Sequence, residues 1–322
     1  MSEPPSPLVS VVVPVHDERA GLPELHRQLR EALERVGGAV EVVYVDDGSR
    51  DGSTELIESW ATSEPDVVLV RLSRNFGLEV AMSAGLDHAR GDWVALMHAD
   101  LQDPPELIPQ MLELAGEQRA DVVFARRIGR DESAVKRALA TGFYKLMERL
   151  ARVPYQGQAG DFRLMSRRVV DTIRSMPERR RFLRGMVAWA GFRQVPIEYR
   201  RAGRATGRGA SYPELYRLAV EALTSFSDVP LNLVTWLGIA AALTSAVAAV
   251  ALVVLALASV VEAGFHVWLL VSVLFLGGVQ LISVGIVGRY LARVHAEALE
   301  RPLYVVDRVV SSRTATLPEL RR

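Results

Sequence analysis

Short apolar runs alternate with amphipathic stretches from Val9 to Phe124. Five runs read as strands: Val9–Val15, Val40–Val45, Val67–Leu72, Trp93–Met97 and Asp121–Phe124. Helical patterns lie between them at Leu22–Val36, Thr54–Ala61, Leu78–Ala89 and Pro105–Ala115. This alternation predicts an α/β fold, a mostly parallel sheet with helices on both faces. The strand runs are continuously apolar rather than alternating, which fits a sheet covered on both sides. Ligands of such sheets sit beyond the carboxyl ends of the strands, so the segments that follow each strand are where chemistry is expected.

The pattern then changes. Residues 132–152 read as a helix, and Gln156 to Arg208 is polar and arginine-dense, with mixed signals. In Tyr212–Phe226, Leu215, Leu218, Ala219, Ala222, Leu223 and Phe226 recur at helical spacing opposite Glu214, Arg217 and Glu221. That helix is amphipathic and either packs on the preceding domain or lies in a membrane interface. Two apolar runs follow, at 233–259 and 267–288. Each is long enough to cross a hydrocarbon core of roughly 30 Å at about 1.5 Å per residue. Between Val229 and Gly288 the only charged side chain is Glu262.

The turn joining the runs has no Lys or Arg. The flanks carry Arg200, Arg201, Arg204, Arg208 and Arg217 on one side and Arg289, Arg293 and Arg301 on the other. By the positive-inside bias this is a transmembrane hairpin with both termini in the cytoplasm. The expected organisation is a cytoplasmic α/β domain at 1–210, an amphipathic juxtamembrane helix at 211–228, two transmembrane helices within 229–290, and a cytoplasmic tail at 291–322. The apolar run Val9–Val15 is too short for a signal peptide, so the first domain is expected to stay on the side where it is made.

Composition narrows the function. The chain contains no cysteine, which excludes a disulfide scaffold, thiolate metal sites and a catalytic thiol. Its formal net charge is zero, which argues against a dedicated nucleic-acid binder.

Four polar clusters fall where strands end. Pro14-Val15-His16-Asp17-Glu18 follows the first strand, and Asp46-Asp47-Gly48-Ser49 the second, extended by Asp51-Gly52-Ser53. Asn75-Phe76-Gly77 follows the third, and His98-Ala99-Asp100-Leu101-Gln102-Asp103-Pro104 the fourth. Singly, such a cluster is commonly a turn closing into a helix cap. Together on one rim, the carboxylates suit a ligand offering hydroxyls, a base edge and phosphates bridged by a hard divalent cation. No Gly-Lys-Ser/Thr phosphate loop or Gly-x-Gly-x-x-Gly stands in the right context.

These clusters resemble the motifs of family 2 glycosyltransferases, in particular the membrane-bound branch that makes polyprenyl-phosphate sugars. Dolichol-phosphate mannose synthases and bactoprenol glucosyltransferases belong to that branch. Further matches are Gln158–Met165, Arg181-Phe182-Leu183-Arg184-Gly185, Gly191-Phe192 and Ser225-Phe226-Ser227 before Pro230-Leu231. The resemblance spans roughly residues 8–295. It implies a GT-A type domain and inverting transfer of one hexose from a nucleotide-sugar to undecaprenyl or decaprenyl phosphate at a bacterial cytoplasmic membrane.

The same resemblance implies site roles. Pro14, Glu18, Asp46 and Asp47 would hold base and ribose, with Gly77 in the donor loop. Asp100 and Gln102 match the metal-binding segment, for Mg²⁺ or Mn²⁺. Asp161 matches an aspartate near the sugar, and is either a base or a group that orients an arginine or a sugar hydroxyl. Arg127, Arg163, Arg184, Arg200 and Arg204 would grip phosphates, and Asp161, Asp100 and Arg163 form the expected catalytic set. His98 stands where the family usually has the first carboxylate of an Asp-x-Asp pair. It either ligates the metal as neutral imidazole or faces solvent or the base, leaving Asp100 to act alone.

The expected partners are a nucleotide-sugar, with a UDP-sugar preferred over GDP-mannose, polyprenyl phosphate and the bilayer, in a homo-oligomer such as a tetramer. Extension of a glycolipid or polysaccharide is the second enzymatic reading, although the Gln-x-x-Arg-Trp motif of processive relatives is missing. An inactive membrane scaffold is the third.

Overall fold

A computed structural model describes residues 8–128, 159–178, 181–200, single positions between 236 and 254, and 265–312. In chain order the elements are β1 (Val9–Val15), α1 (Leu22–Leu33), β2 (Val40–Asp46), α2 (Ser53–Ser63), β3 (Val67–Leu72), α3 (Leu78–His88), β4 (Trp93–Leu96), α4 (Leu107–Gln118) and β5 (Val122–Ile128). After these come β6 (Ala159–Ser166), α5 (Arg167–Ser175), α6 (Leu183–Trp189), β7 (Gln194–Arg200), α7 (Phe265–Ala298) and β8 (Val306–Val310).

All eight strands form one sheet in the order β7-β5-β6-β4-β1-β2-β3-β8. β1, β2, β3 and β4 run parallel, as do β5 and β7, while β6 and β8 are antiparallel to their neighbours. The chain winds outward from β1 through β2 to β3, then returns to place β4 on the other flank of β1. The gap between the carboxyl ends of β1 and β4 is therefore the topological switch point, where α/β sheets bind ligands.

β1 shows why the sheet is covered on both faces. Val9, Val11, Val13 and Val15 enter a core with Leu22, Leu25 and Leu29 of α1, Ile57 of α2, and Ile108 and Met111 of α4. Val12 points the other way, into a core with Met82 and Leu86 of α3, Val169, Val170 and Ile173 of α5, and Met186 of α6. Each fully buried Leu or Ile stabilises by about 1.5–3 kcal/mol. Gly85 of α3 lies so near β1 that a Cβ there would stand 2.1 Å from a Val12 methyl. α3 thus packs directly on the strand that leads into the switch point.

Pro14 lies within this central strand without breaking it. Val12 O accepts the Met97 N–H and Val15 O accepts the Asp47 N–H. The two flanks alternate, so Pro14 faces the β4 side, where β4 has already ended at Leu96 and no donor is required.

The structure departs from the sequence reading mainly after residue 158. The mixed stretch resolves into β6, α5, α6 and β7, with β6 inserted antiparallel between β4 and β5. Residues 306–310, expected in a tail, form β8 on the free edge of β3. The predicted helices at 132–152 and 212–226 lie outside the described residues, as does Arg204.

Two compact units divide the chain. The described residues of the first carry the sheet. Those of the second are helical at every described position from Trp236 to Val254 and throughout α7. At about 1.5 Å per residue, the 34 residues of α7 are long enough to cross a membrane, and Phe275–Ala292 is apolar enough to do so. Among the described residues it is the one helix that meets both conditions.

Candidate active site

The loops after β1, β2 and β3 are strapped to one another by side chains on backbone groups. Asp46 is fully buried, and its two oxygens accept the Ser49 N–H at 3.0 Å and the Thr54 hydroxyl at 2.6 Å. Asp47 accepts the Phe76 N–H at 2.7 Å and the Gly77 N–H at 2.8 Å. Ser49 Oγ accepts the Asp17 N–H at 3.0 Å, and Ser53 Oγ the Glu18 N–H at 3.2 Å.

The two aspartates thus hold the loops together. The sequence reading has Asp46 and Asp47 facing base and ribose. In the structure both carboxylates are buried and engaged with protein donors, so they hold the loops on which a ligand would rest.

His16 and Asn75 lie on this rim. His16 Nδ1 is 2.9 Å from the Asp47 carbonyl, and Asn75 Nδ2 is 2.9 Å from His16 Nε2. A carbonyl only accepts, so Nδ1 donates to Asp47 and ties the His16 ring to the loop after β2. Glu18 is only partly buried. Its pKa is pushed up by burial and by the negative charges of Asp100 and Asp51.

Gly77 opens α3 with φ +99° and ψ 156°, a backbone region essentially closed to other residues, while a Cβ there would meet nothing within 4 Å. The demand for glycine comes from the backbone alone. Gly77→Ala is expected to destabilise the fold by about 1–3 kcal/mol, read as a lower urea midpoint. An unchanged midpoint would show that the loop relaxes without strain.

On the other flank of the switch point, β6 places Asp161 beyond Leu96, at the carboxyl end of β4. Both Asp161 oxygens are gripped by the Arg184 guanidinium, from Nε and Nη2. His98 Nε2 stands 3.3 Å from Asp161 Oδ2, close enough for an ion pair but without the alignment of a hydrogen bond. Burial pushes the Asp161 pKa up, yet His98 and Arg184 together hold it well below the usual carboxylate range. Burial lowers the His98 pKa, and Asp161, Asp103 and Asp100 more than reverse this and raise it. Arg163 is buried on β6 and donates to Gly160 O at 2.8 Å.

The segment after β4 is shaped by its own carboxylates. Asp103 Oδ2 accepts the His98 N–H at 3.0 Å, and Asp100 Oδ1 accepts the Gln102 N–H at 3.2 Å. Among the described residues no three His, Asp or Glu side chains converge as a metal site. Of the expected metal trio, Asp100 offers the hard oxygen donor that a divalent cation prefers. His98 turns its Nε2 toward the Asp161 carboxylate. Gln102 is buried beside Asp100.

Arg127 and Arg200 stand on adjacent strands at the carboxyl ends of β5 and β7, where Arg127 pairs in register with Tyr199 and Ile128 with Arg200. Glu79 escaped the sequence reading. In the first turn of α3, it accepts the Leu183 N–H at 3.0 Å and so docks the start of α6, which carries Arg184. Its partner is a backbone group 104 residues away, and no local pattern announces such a contact.

The mostly parallel sheet, with carboxylates and arginines around its switch point, is a GT-A-like α/β fold. The family model for glycosyl transferase family 2 matches residues 10–174, and the chain belongs to that family: it is a glycosyltransferase. Curated relatives match almost end to end. A bactoprenol glucosyl transferase of Shigella phage SfV is 40% identical over 300 residues, covering 92% of this chain and 97% of the relative. A prophage bactoprenol glucosyl transferase homolog of Escherichia coli (strain K12) is 39% identical over 303 residues, covering 94% and 99%. Among solved structures, mannosyl-3-phosphoglycerate synthase from Rubrobacter xylanophilus aligns with a TM-score of 0.49 at 18% identity, over 68% of this chain and 73% of that one.

Proposed function

We propose that this glycosyltransferase moves one hexose, with inversion, from a nucleotide-sugar to a polyprenyl phosphate at the cytoplasmic face of a bacterial membrane. The observation that carries the acceptor is the full-length 40% identity to a bactoprenol glucosyl transferase. The rim geometry supports the chemistry.

The donor diphosphate is taken to lie across the switch point, on the strapped loops of one flank and facing Asp100 and the arginines of the other. A UDP-sugar is the preferred donor. An oxygen of the acceptor phosphate attacks the anomeric carbon, and the bond from that carbon to the diphosphate oxygen breaks. A phosphate monoester has its second pKa near 6 and is largely dianionic at pH 7, so its oxygen attacks without losing a proton. The protein's task is to bring two anions together and to steady the departing diphosphate. Asp100, with Gln102 beside it, would hold a divalent cation that offsets the diphosphate charge. Arg184 is oriented by Asp161 to present its guanidinium toward phosphate oxygens, and Arg163, Arg127 and Arg200 add positive charge on the same flank. In this reading Asp161 positions and does not abstract a proton.

The sheet itself supports the transmembrane hairpin. β7 ends at Arg200 and β8 begins at Val306, and both are strands of one sheet. The chain between them has to leave and re-enter on the same side of any bilayer, so crossings come in an even number. α7 supplies one crossing, and the apolar run at 233–259 is long enough for the other.

The test is transfer of label. Detergent-purified protein is incubated with undecaprenyl phosphate, Mg²⁺ or Mn²⁺, and radiolabelled UDP-glucose, UDP-N-acetylglucosamine or GDP-mannose. Label is expected in the organic phase with one donor, and none with Asp100→Ala. No lipid-borne label from any donor with either metal would overturn the acceptor assignment.

A further inference from the structure

β8 is the last strand of the sheet and lies C-terminal to the apolar helix α7, yet its contacts lead back to the donor loops. Arg71 of β3 sits in register between Asp46 of β2 and Arg308 of β8. Its guanidinium reaches both ways, with Nε 3.9 Å from Asp46 Oδ2 and Nη1 3.7 Å from Asp307 Oδ2. Asp46 is the buried carboxylate that holds Ser49 and Thr54 at the start of the donor loop and of α2. Arg308 Nη2 donates to Glu58 Oε2 of α2 at 2.7 Å, and the Ser312 N–H donates to the Ala61 carbonyl at 2.8 Å. Tyr304 adds a hydroxyl donated to Asp87 of α3 at 2.8 Å.

We propose that β8 is a positioning element of the donor site: Asp307 acts through Arg71 on Asp46, and Arg308 acts through Glu58 on α2. Affinity for a nucleoside diphosphate then depends on a strand supplied from beyond the apolar segment. The α2 side is the more direct of the two, because the first turn of that helix provides both Thr54, bonded to Asp46, and Ser53, bonded to the Glu18 backbone. A loosened α2 therefore shifts two of the three strapped loops together. The proposal rests on the donor-site reading above, and it adds that the site is completed from the C-terminal side of the chain.

The test uses the full chain in detergent, with UDP and GDP each titrated calorimetrically in the presence of Mg²⁺. Asp307 and Arg308 have half-exposed side chains on an edge strand, at 50% and 43%, so Asp307→Asn/Arg308→Gln is expected to fold. Partly exposed ion pairs are individually weak, and losing two should raise the Kd of the nucleotide that binds by about fivefold. Amide hydrogen exchange across residues 47–54 should quicken in the same variant, while Arg308→Lys, which keeps the charge facing Glu58, should bind nearly as the wild type does. A double variant that melts lower but binds with unchanged Kd and unchanged exchange in 47–54 would make β8 a structural brace only, and would overturn the proposal. Wild-type protein that binds neither UDP nor GDP would instead overturn the donor reading, and this inference with it.

Discussion

Asp161→Asn is expected to lower turnover by about a hundredfold, the scale of loss that misplacing a positioning group by an ångström produces. Nucleotide affinity should change far less, because the loops proposed to carry the donor are strapped to one another after β1, β2 and β3. The Asp161 carboxylate is closely paired. Both of its oxygens are taken by Arg184, His98 stands 3.3 Å away, and its pKa is held well below the ordinary range. A base so strongly paired is a poor proton acceptor, and a dianionic phosphate has no proton to give. What the carboxylate does supply is direction. Asparagine keeps the shape but offers one oxygen and no charge, so Arg184 loses its two-point grip. Arg184→Ala should cost a similar factor, and the double variant should be scarcely worse than either single, since all three remove one unit. If Asp161 were an independent base, the losses would instead multiply toward about ten-thousandfold. Single-turnover rates for the four proteins decide between these outcomes.

The sequence made the first half of the fold legible because its signals are local. β1, β2, β3 and β4 are continuous apolar runs, and each is followed by a polar cluster whose type suits a turn. Where pairing is distant, the reading fails. β6 carries Asp161 and Arg163 between the core residues Phe162, Leu164 and Met165, and it becomes a strand because β4 and β5 offer it two hydrogen-bonding edges. β8 sets Asp307 and Arg308 side by side among Val306, Val309 and Val310, which a short exposed edge strand tolerates, and only the free flank of β3 reveals its place. The site was legible as a set of residue types on one rim but not as a set of roles. Asp46 and Asp47 read in sequence as ligand-facing carboxylates, and their bonds to Ser49, Thr54, Phe76 and Gly77 add a loop-shaping role that no local pattern announces. Nothing in the sequence announces that His98 stands 3.3 Å from Asp161, 63 positions on.

The contrast between a carboxylate that serves the site and one that serves the fold can be measured at the opposite end of β2. Glu41 is as fully buried as Asp46, but it lies near the amino end of the same strand. It accepts from Ser10 Oγ at 2.7 Å and from three Arg90 groups, the backbone N–H at 3.1 Å, Nε at 3.0 Å and Nη2 at 2.9 Å. Ser10 Oγ in turn accepts the Gly91 N–H at 2.8 Å. These contacts pin the turn after α3 to the start of β1 and β2. Glu41→Ala removes the common acceptor and leaves a buried hydroxyl and a backbone N–H without it. The Arg90 side chain is 44% exposed and can turn to water, which keeps the loss at about 3 kcal/mol, the lower end for breaking a buried pair. For a unit of this size that is about 6–12 °C in Tm. Arg90→Ala should be comparable, because it strands a fully buried negative charge with fewer donors. Neither change should move kcat by more than about twofold below the melting range, because β2 separates Glu41 from the rim by its whole length, roughly 3.3 Å per residue. A thermal melt and an activity assay on the same preparation test both halves. A variant that melts normally would show that water replaces the carboxylate, and one that melts normally but loses turnover would place a functional role at the end of the sheet where ligands are not expected.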